Sequence, residues 1–141
     1  MRAVVITSIT GWIASVLIGL EVLLPYLLRR NRLSNWLGTA KIGARSPYLK
    51  RMWPHYWLGY LLLLLSLIHS VIPLQAVALR GLNATGLWLA TAGLLFLLVQ
   101  SAIGLWLQDP SLTARATMRS WHYWLMFGVA ILVSFHVWLN G

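Results

Sequence analysis

The sequence predicts an all-α integral membrane four-helix bundle. Two observations carry this. Of its 141 residues, 60% are hydrophobic and only 9% charged, where a soluble domain carries about 25% charged residues. Four long apolar stretches stand out, at roughly 3–28, 54–74, 86–107 and 121–139. Each is close to the ~20 residues that cross a bilayer core. Helices are expected because a spanning backbone must satisfy its own hydrogen bonds. A transmembrane β-barrel would alternate in polarity, and the run Leu61–Leu65 does not. Short connections make the spans one domain, 1–141, without room for a separate soluble catalytic domain.

The first stretch follows Arg2 and stays apolar up to Arg29 and Arg30. Without an obvious small-x-small cleavage site it reads as a retained span and not as a signal peptide. Ser46-Pro47 reads as a helix start with Pro at the first helical position. Pro54 then suggests a kink or a second start. The second span runs to Pro73, and Gln75–Thr85 is a short loop whose Asn83-Ala84-Thr85 matches a glycosylation sequon, a short and common pattern. The third span runs to Gln108. Asp109-Pro110 restarts the chain, with a short interfacial helix expected over 111–119. Trp53, Tyr56 and Trp57, and again Trp121, Tyr123 and Trp124, read as aromatic belts at the lipid interface.

The net charge of +9 does not mark a nucleic-acid binder, because of where it lies. Of the eleven Lys and Arg residues, Arg29, Arg30, Arg32, Lys41, Arg45, Lys50 and Arg51 fall between spans 1 and 2, and Arg115 and Arg119 between spans 3 and 4. Arg2 and Arg80 alone fall on the other side. By the positive-inside rule, loops 29–53 and 108–120 are expected in the cytoplasm and both termini outside. A bacterial or archaeal cytoplasmic membrane fits this pattern. Contact with anionic lipid accounts for most of these charges.

The chemistry lies in the histidines. "HYWL" occurs at His55–Leu58 and again at His122–Leu125, and each copy is followed fourteen residues on by a second histidine, His69 and His136. These are all four histidines of the chain. Spans 2 and 4 run in the same direction, so matching positions lie at matching depths, as in a parallel internal repeat. Fourteen residues are four turns of a left-handed bundle, so both histidines of a helix face one neighbour, roughly 21 Å apart at ~1.5 Å per residue. The stripe between them is Leu58, Gly59, Leu62, Leu65 and Ser66 on one helix, and Leu125, Met126, Val129, Leu132 and Val133 on the other. A bare zinc or iron site needs three or four clustered ligands, and no His pair at i, i+3 or i+4 exists. A porphyrin needs one imidazole from each side, and bundle cores hold cofactors between facing helices. The expectation is two b-type haems between helices 2 and 4, with iron held by His55–His122 and by His69–His136. The absence of Cys excludes disulfides, thiolate-bound clusters and covalent c-type attachment.

The segments Arg51–His69, "RMWPHYWLGYLLLLLSLIH", and Arg119–His136, "RSWHYWLMFGVAILVSFH", resemble the di-haem transmembrane b-type cytochromes: cytochrome b, cytochrome b561 and the ferric-reductase-like membrane domain. The shared pattern is a basic residue, a histidine at the membrane edge, an apolar run and a second histidine. The resemblance covers mainly spans 2 and 4 and implies transmembrane electron transfer. It also implies that glycines on the ligand-free helices, here Gly11, Gly19, Gly86, Gly93 and Gly104, make room for haem. Gly59 lies one turn after His55, and Ser66 and Ser134 lie near the second ligands. Arg51 and Arg119, with Arg29, Arg30, Lys50 and Arg115, could neutralise propionates.

Glu21 is the only acid within a span, and an intramembrane carboxylate is a functional candidate. It could accept a proton at a quinone pocket, or bond a haem ligand or helix 3. The main functional expectation is the membrane cytochrome b subunit of a quinone-linked oxidoreductase in a respiratory chain, with further redox subunits as partners. The alternatives are a stand-alone di-haem cytochrome reducing a soluble acceptor or metal, and a non-redox membrane anchor without haem.

Overall fold

The computed structural model describes residues 2–29, 47–75 and 83–140. The architecture is all-helical: α1 (Arg2–Arg29), α2 (Pro47–Gln75), α3 (Ala84–Trp106) and α4 (Arg115–Asn140). Each of the four is long and apolar enough to cross a membrane, as expected of an integral membrane protein. Large apolar side chains cover the outside, among them Val16, Leu64, Val99 and Phe127. Such a surface is stable in lipid and would aggregate in water.

α1 packs along α2 and α3 packs along α4, as two hairpins. The remaining neighbours, α2 with α3 and α1 with α4, touch less. α2 and α4 lie across the bundle diagonal, with little direct backbone contact. Ala14, Leu17, Ile18, Leu62, Leu97 and Val129 form the core where the four helices meet. Leu62 and Val129 are each 1% exposed. Each stands seven residues after the first histidine of its helix, so the apolar stripe predicted between the histidines forms the centre of the bundle.

The helix ends differ from the sequence-based expectations. α2 begins at Pro47, as expected, but runs through Pro54 without a break or second start. No separate helix forms over 111–119: the chain makes turns, and α4 begins at Arg115. The segment Ala116–Ser120 holds no Gly or Pro, so a polar first turn extends the helix beyond its apolar stretch. Arg115 secures this corner, its Nη1 donating to Leu107 O at 2.9 Å and its Nη2 to Asp109 O. Asp109 accepts from Ser111 N and Oγ at 2.9 and 2.8 Å, which holds its carboxyl below the ordinary pKa. Gln108 Nε2 donates to Tyr60 OH at 3.2 Å, tying the corner to α2.

At the opposite end, Asn83 caps α3. Its side chain accepts from Thr85 N and Gly86 N at 2.9 and 3.4 Å, which satisfies orphan N–H groups of the first turn. Its own N–H donates to Asn140 Oδ1 at 2.7 Å, joining the start of α3 to the end of α4. The sequon asparagine is thus a helix cap. Trp53, Trp57, Trp106, Trp121 and Trp124 are exposed at one end of the bundle, and Trp88 and Trp138 at the other, in keeping with aromatic belts. The residues 30–46, which include Arg30, Arg32, Lys41 and Arg45, lie outside the described part.

Candidate functional site: two histidine pairs across the bundle

The predicted pairs meet. The ring centroids of His55 and His122 are 6.1 Å apart, and those of His69 and His136 are 6.3 Å apart. Within each pair the ring planes are nearly perpendicular, at 83° and 78°. Like residues pair with like, so α2 and α4 run parallel.

Each imidazole is held through Nδ1. His69 Nδ1 donates to Thr7 O at 3.0 Å, His122 Nδ1 to Gln100 O at 3.2 Å, and His136 Nδ1 to Gly86 O at 2.9 Å. A carbonyl oxygen can only accept, so in these three rings Nδ1 carries the proton and Nε2 the lone pair. His55 Nδ1 instead meets the carboxylate oxygen Glu21 Oε2. Metal-bound histidines are commonly held this way, one nitrogen on a carbonyl or carboxylate and the other free to ligate.

These acceptors have a pattern of their own. Thr7 and Glu21 are fourteen residues apart on α1, and Gly86 and Gln100 are fourteen apart on α3. The histidine spacing of α2 and α4 is therefore matched on the helices that hold the histidines. Small residues make the close approach possible. A Cβ on Gly11 would lie 2.9 Å from His69 Cε1, and one on Gly104 would lie 3.3 Å from His122 Cε1. Gly11 follows Thr7 by one turn, and Gly104 follows Gln100 by one turn. The imidazoles thus lie over the turn between a carbonyl and a glycine.

The other glycines do other things. A Cβ on Gly86 would strike Asn140 Nδ2, one on Gly93 would meet Leu132 Cβ at 3.6 Å, and one on Gly59 would come within 3.9 Å of Glu21 Oε1. Gly19 faces open space. Ser134 Oγ turns back to Ala130 O of its own helix.

A cavity of about 720 Å³ opens at the His55–His122 pair. Both histidines line it, together with Glu21, Gln100, Arg115 and Arg119. Its size is that of a cofactor pocket. The arginines lie beyond the histidine layer in sequence, Arg119 exposed at the bundle end. The Arg51 side chain lies outside the described part. Glu21 and Gln100 are 5% and 6% exposed. Their Oε1 atoms are buried without a hydrogen-bond partner, and Gln100 Nε2 stands 3.5 Å from His122 Nε2. Among the described residues no group of three or more His, Asp or Glu side chains is placed to hold a metal ion.

The residues present fit a haem. Two imidazoles binding one metal from opposite sides, with bonds of about 2 Å and ring nitrogens ~1.1 Å from the ring centre, would have centroids about 6.2 Å apart. Both pairs match that separation. Comparison with family models, curated proteins and solved structures gives no match to this chain.

Proposed function

We propose that the chain carries electrons across a membrane through two bis-histidine b haems, one held by His55 and His122 and the other by His69 and His136. The observation that supports this most is the paired geometry: two layers of facing imidazoles at ligation distance, with three Nδ1 atoms on carbonyls and one on a carboxylate. Bound there, haem supplies one-electron iron chemistry without an open coordination position.

The residues divide the work. The four histidines would ligate. Thr7 O, Glu21, Gly86 O and Gln100 O fix ring orientation and leave Nε2 for the metal. Leu62 and Val129 fill the layer between the two sites and keep water from it. Arg115 and Arg119, on the cavity at the His55 end, would face propionates. By the positive-inside pattern that end lies in the cytoplasm.

The setting we propose is the membrane subunit of a quinone-linked oxidoreductase, in which electrons would enter and leave through partners. The contact of Glu21 with His55 favours a bond to a ligand over a proton-accepting role at a quinone.

The test is a dithionite-reduced minus oxidised spectrum of the purified protein, with haem quantified as pyridine haemochrome. Two haems per chain are expected, falling to one in His69→Ala and to one in His55→Ala. Colourless protein from cells supplied with haem would overturn the reading.

A further inference from the structure

The two histidine layers differ in one respect that bears on the direction of electron flow. Three of the four Nδ1 atoms rest on neutral backbone carbonyls. The fourth, on His55, rests on a carboxylate. The matched spacing makes Glu21 on α1 the counterpart of Gln100 on α3, so the same depth holds an acid on one side of the cavity and an amide on the other. Both are buried. At the other end the counterparts are Thr7 and Gly86, neither of them ionisable. Thr10 Oγ1, 3.2 Å from His69 Nδ1, adds a further neutral group.

From this asymmetry, and resting on the di-haem reading, we propose that Glu21 makes the His55–His122 site the low-potential site, so that electrons run from the His55 end to the His69 end. Two physical effects act in the same direction. A carboxylate in contact with Nδ1 makes the imidazole a more basic ligand, which favours the oxidised metal. A buried negative charge beside the site also favours the more positive oxidation state, and burial weakens the screening of that charge.

Among the described residues, the opposing charges on the same cavity are Arg115 and Arg119. Arg115 is committed to Leu107 O and Asp109 O, and Arg119 is exposed, where solvent screens it. Glu21 is in direct contact with the ligand, so its effect dominates. With haem bound at both, the step it would govern is transfer of one electron from the His55–His122 site, which would be oxidised, to the His69–His136 site, which would be reduced. No proton or further reactant enters that balance. Glu21 acts through His55 and is a positioning residue.

Spectroelectrochemical titration at one fixed pH tests this on the purified wild type and on Glu21→Gln, with haem counted in each sample. His69→Ala, which retains the His55–His122 site alone, assigns the potentials. The lower potential is expected to belong to that site. Glu21→Gln should raise it, shift the low-spin EPR g-values of that haem, and leave the higher potential in place. Glu21→Asp should restore part of the difference. Both potentials unmoved in Glu21→Gln with two haems bound would overturn the proposal, as would a shift of the higher potential alone. Should Glu21→Gln lose a haem, Gln100→Glu provides the second measurement. It adds a carboxylate at the matching position and should lower the same potential further, and an unmoved potential there overturns the proposal. A wild type without haem would sink the di-haem reading itself, a result distinct from all of these.

Discussion

Gly11 lies against the His69 ring so closely that a Cβ would stand 2.9 Å from Cε1. The ring cannot retreat freely, because its Nδ1 is bonded to Thr7 O one turn earlier on the same helix. Under the di-haem reading, Gly11→Ala should therefore push His69 away from His136 and lower haem content from two per chain toward one, with the His55–His122 haem retained. Gly19 on the same helix faces open space. Gly19→Ala should keep both haems and stabilise α1 by about 0.5–1 kcal/mol, the usual gain for this change in a helix. Pyridine haemochrome and thermal melting of the two variants side by side check both halves. Equal haem content in the two would show that the Gly11 contact is not needed.

The Asn83–Asn140 tie joins the two ends of the α3–α4 hairpin. Asn83→Ala removes the acceptance from Thr85 N and Gly86 N and keeps the backbone bonds to Asn140, and a lost N-cap costs about 1 kcal/mol. Thermal unfolding in detergent, followed by far-UV circular dichroism, should show a lower midpoint for Asn83→Ala. Asn140→Ala should cost less, since the cap itself survives. The reverse order would mean that the inter-helix bond, and not the cap, dominates.

Gln100 holds His122 through its backbone, while its own side-chain oxygen is buried without a partner. An unsatisfied buried polar group costs about 1–3 kcal/mol. Gln100→Leu keeps the carbonyl and removes the orphan, so the melting midpoint should stay level or rise and, under the di-haem reading, haem content should stay at two. Selective loss of one haem would show that the amide itself serves the site.

Much of this architecture is legible in the sequence because its signals are strong where lipid is the solvent. Apolar length marks each span, and histidine is rare enough in such spans that four at matched spacing define depth and facing. The supporting acceptors are not legible in the same way. Thr7, Gly86 and Gln100 bind through backbone carbonyls, which every residue possesses, so nothing in their side chains announces the role. The available clue is the glycine one turn later, at Gly11 and Gly104, read together with the fourteen-residue distance from Thr7 to Glu21. The start of α4 differs from the sequence-based expectation for a different reason. Hydropathy registers the part of a helix within lipid, whereas backbone hydrogen bonding continues into polar turns such as Arg115–Ser120. Pro54 does not end α2, although its ring removes one N–H from the ladder.

Each hairpin owns one imidazole of either layer: α1–α2 supplies His55 and His69, and α3–α4 supplies His122 and His136. Under the di-haem reading, neither half can hold a six-coordinate iron by itself. A chain interrupted after α3 would present two half-sites and no wire. Loading would then report that synthesis has reached the last helix, and a damaged or partial copy would stay electrically silent in the membrane.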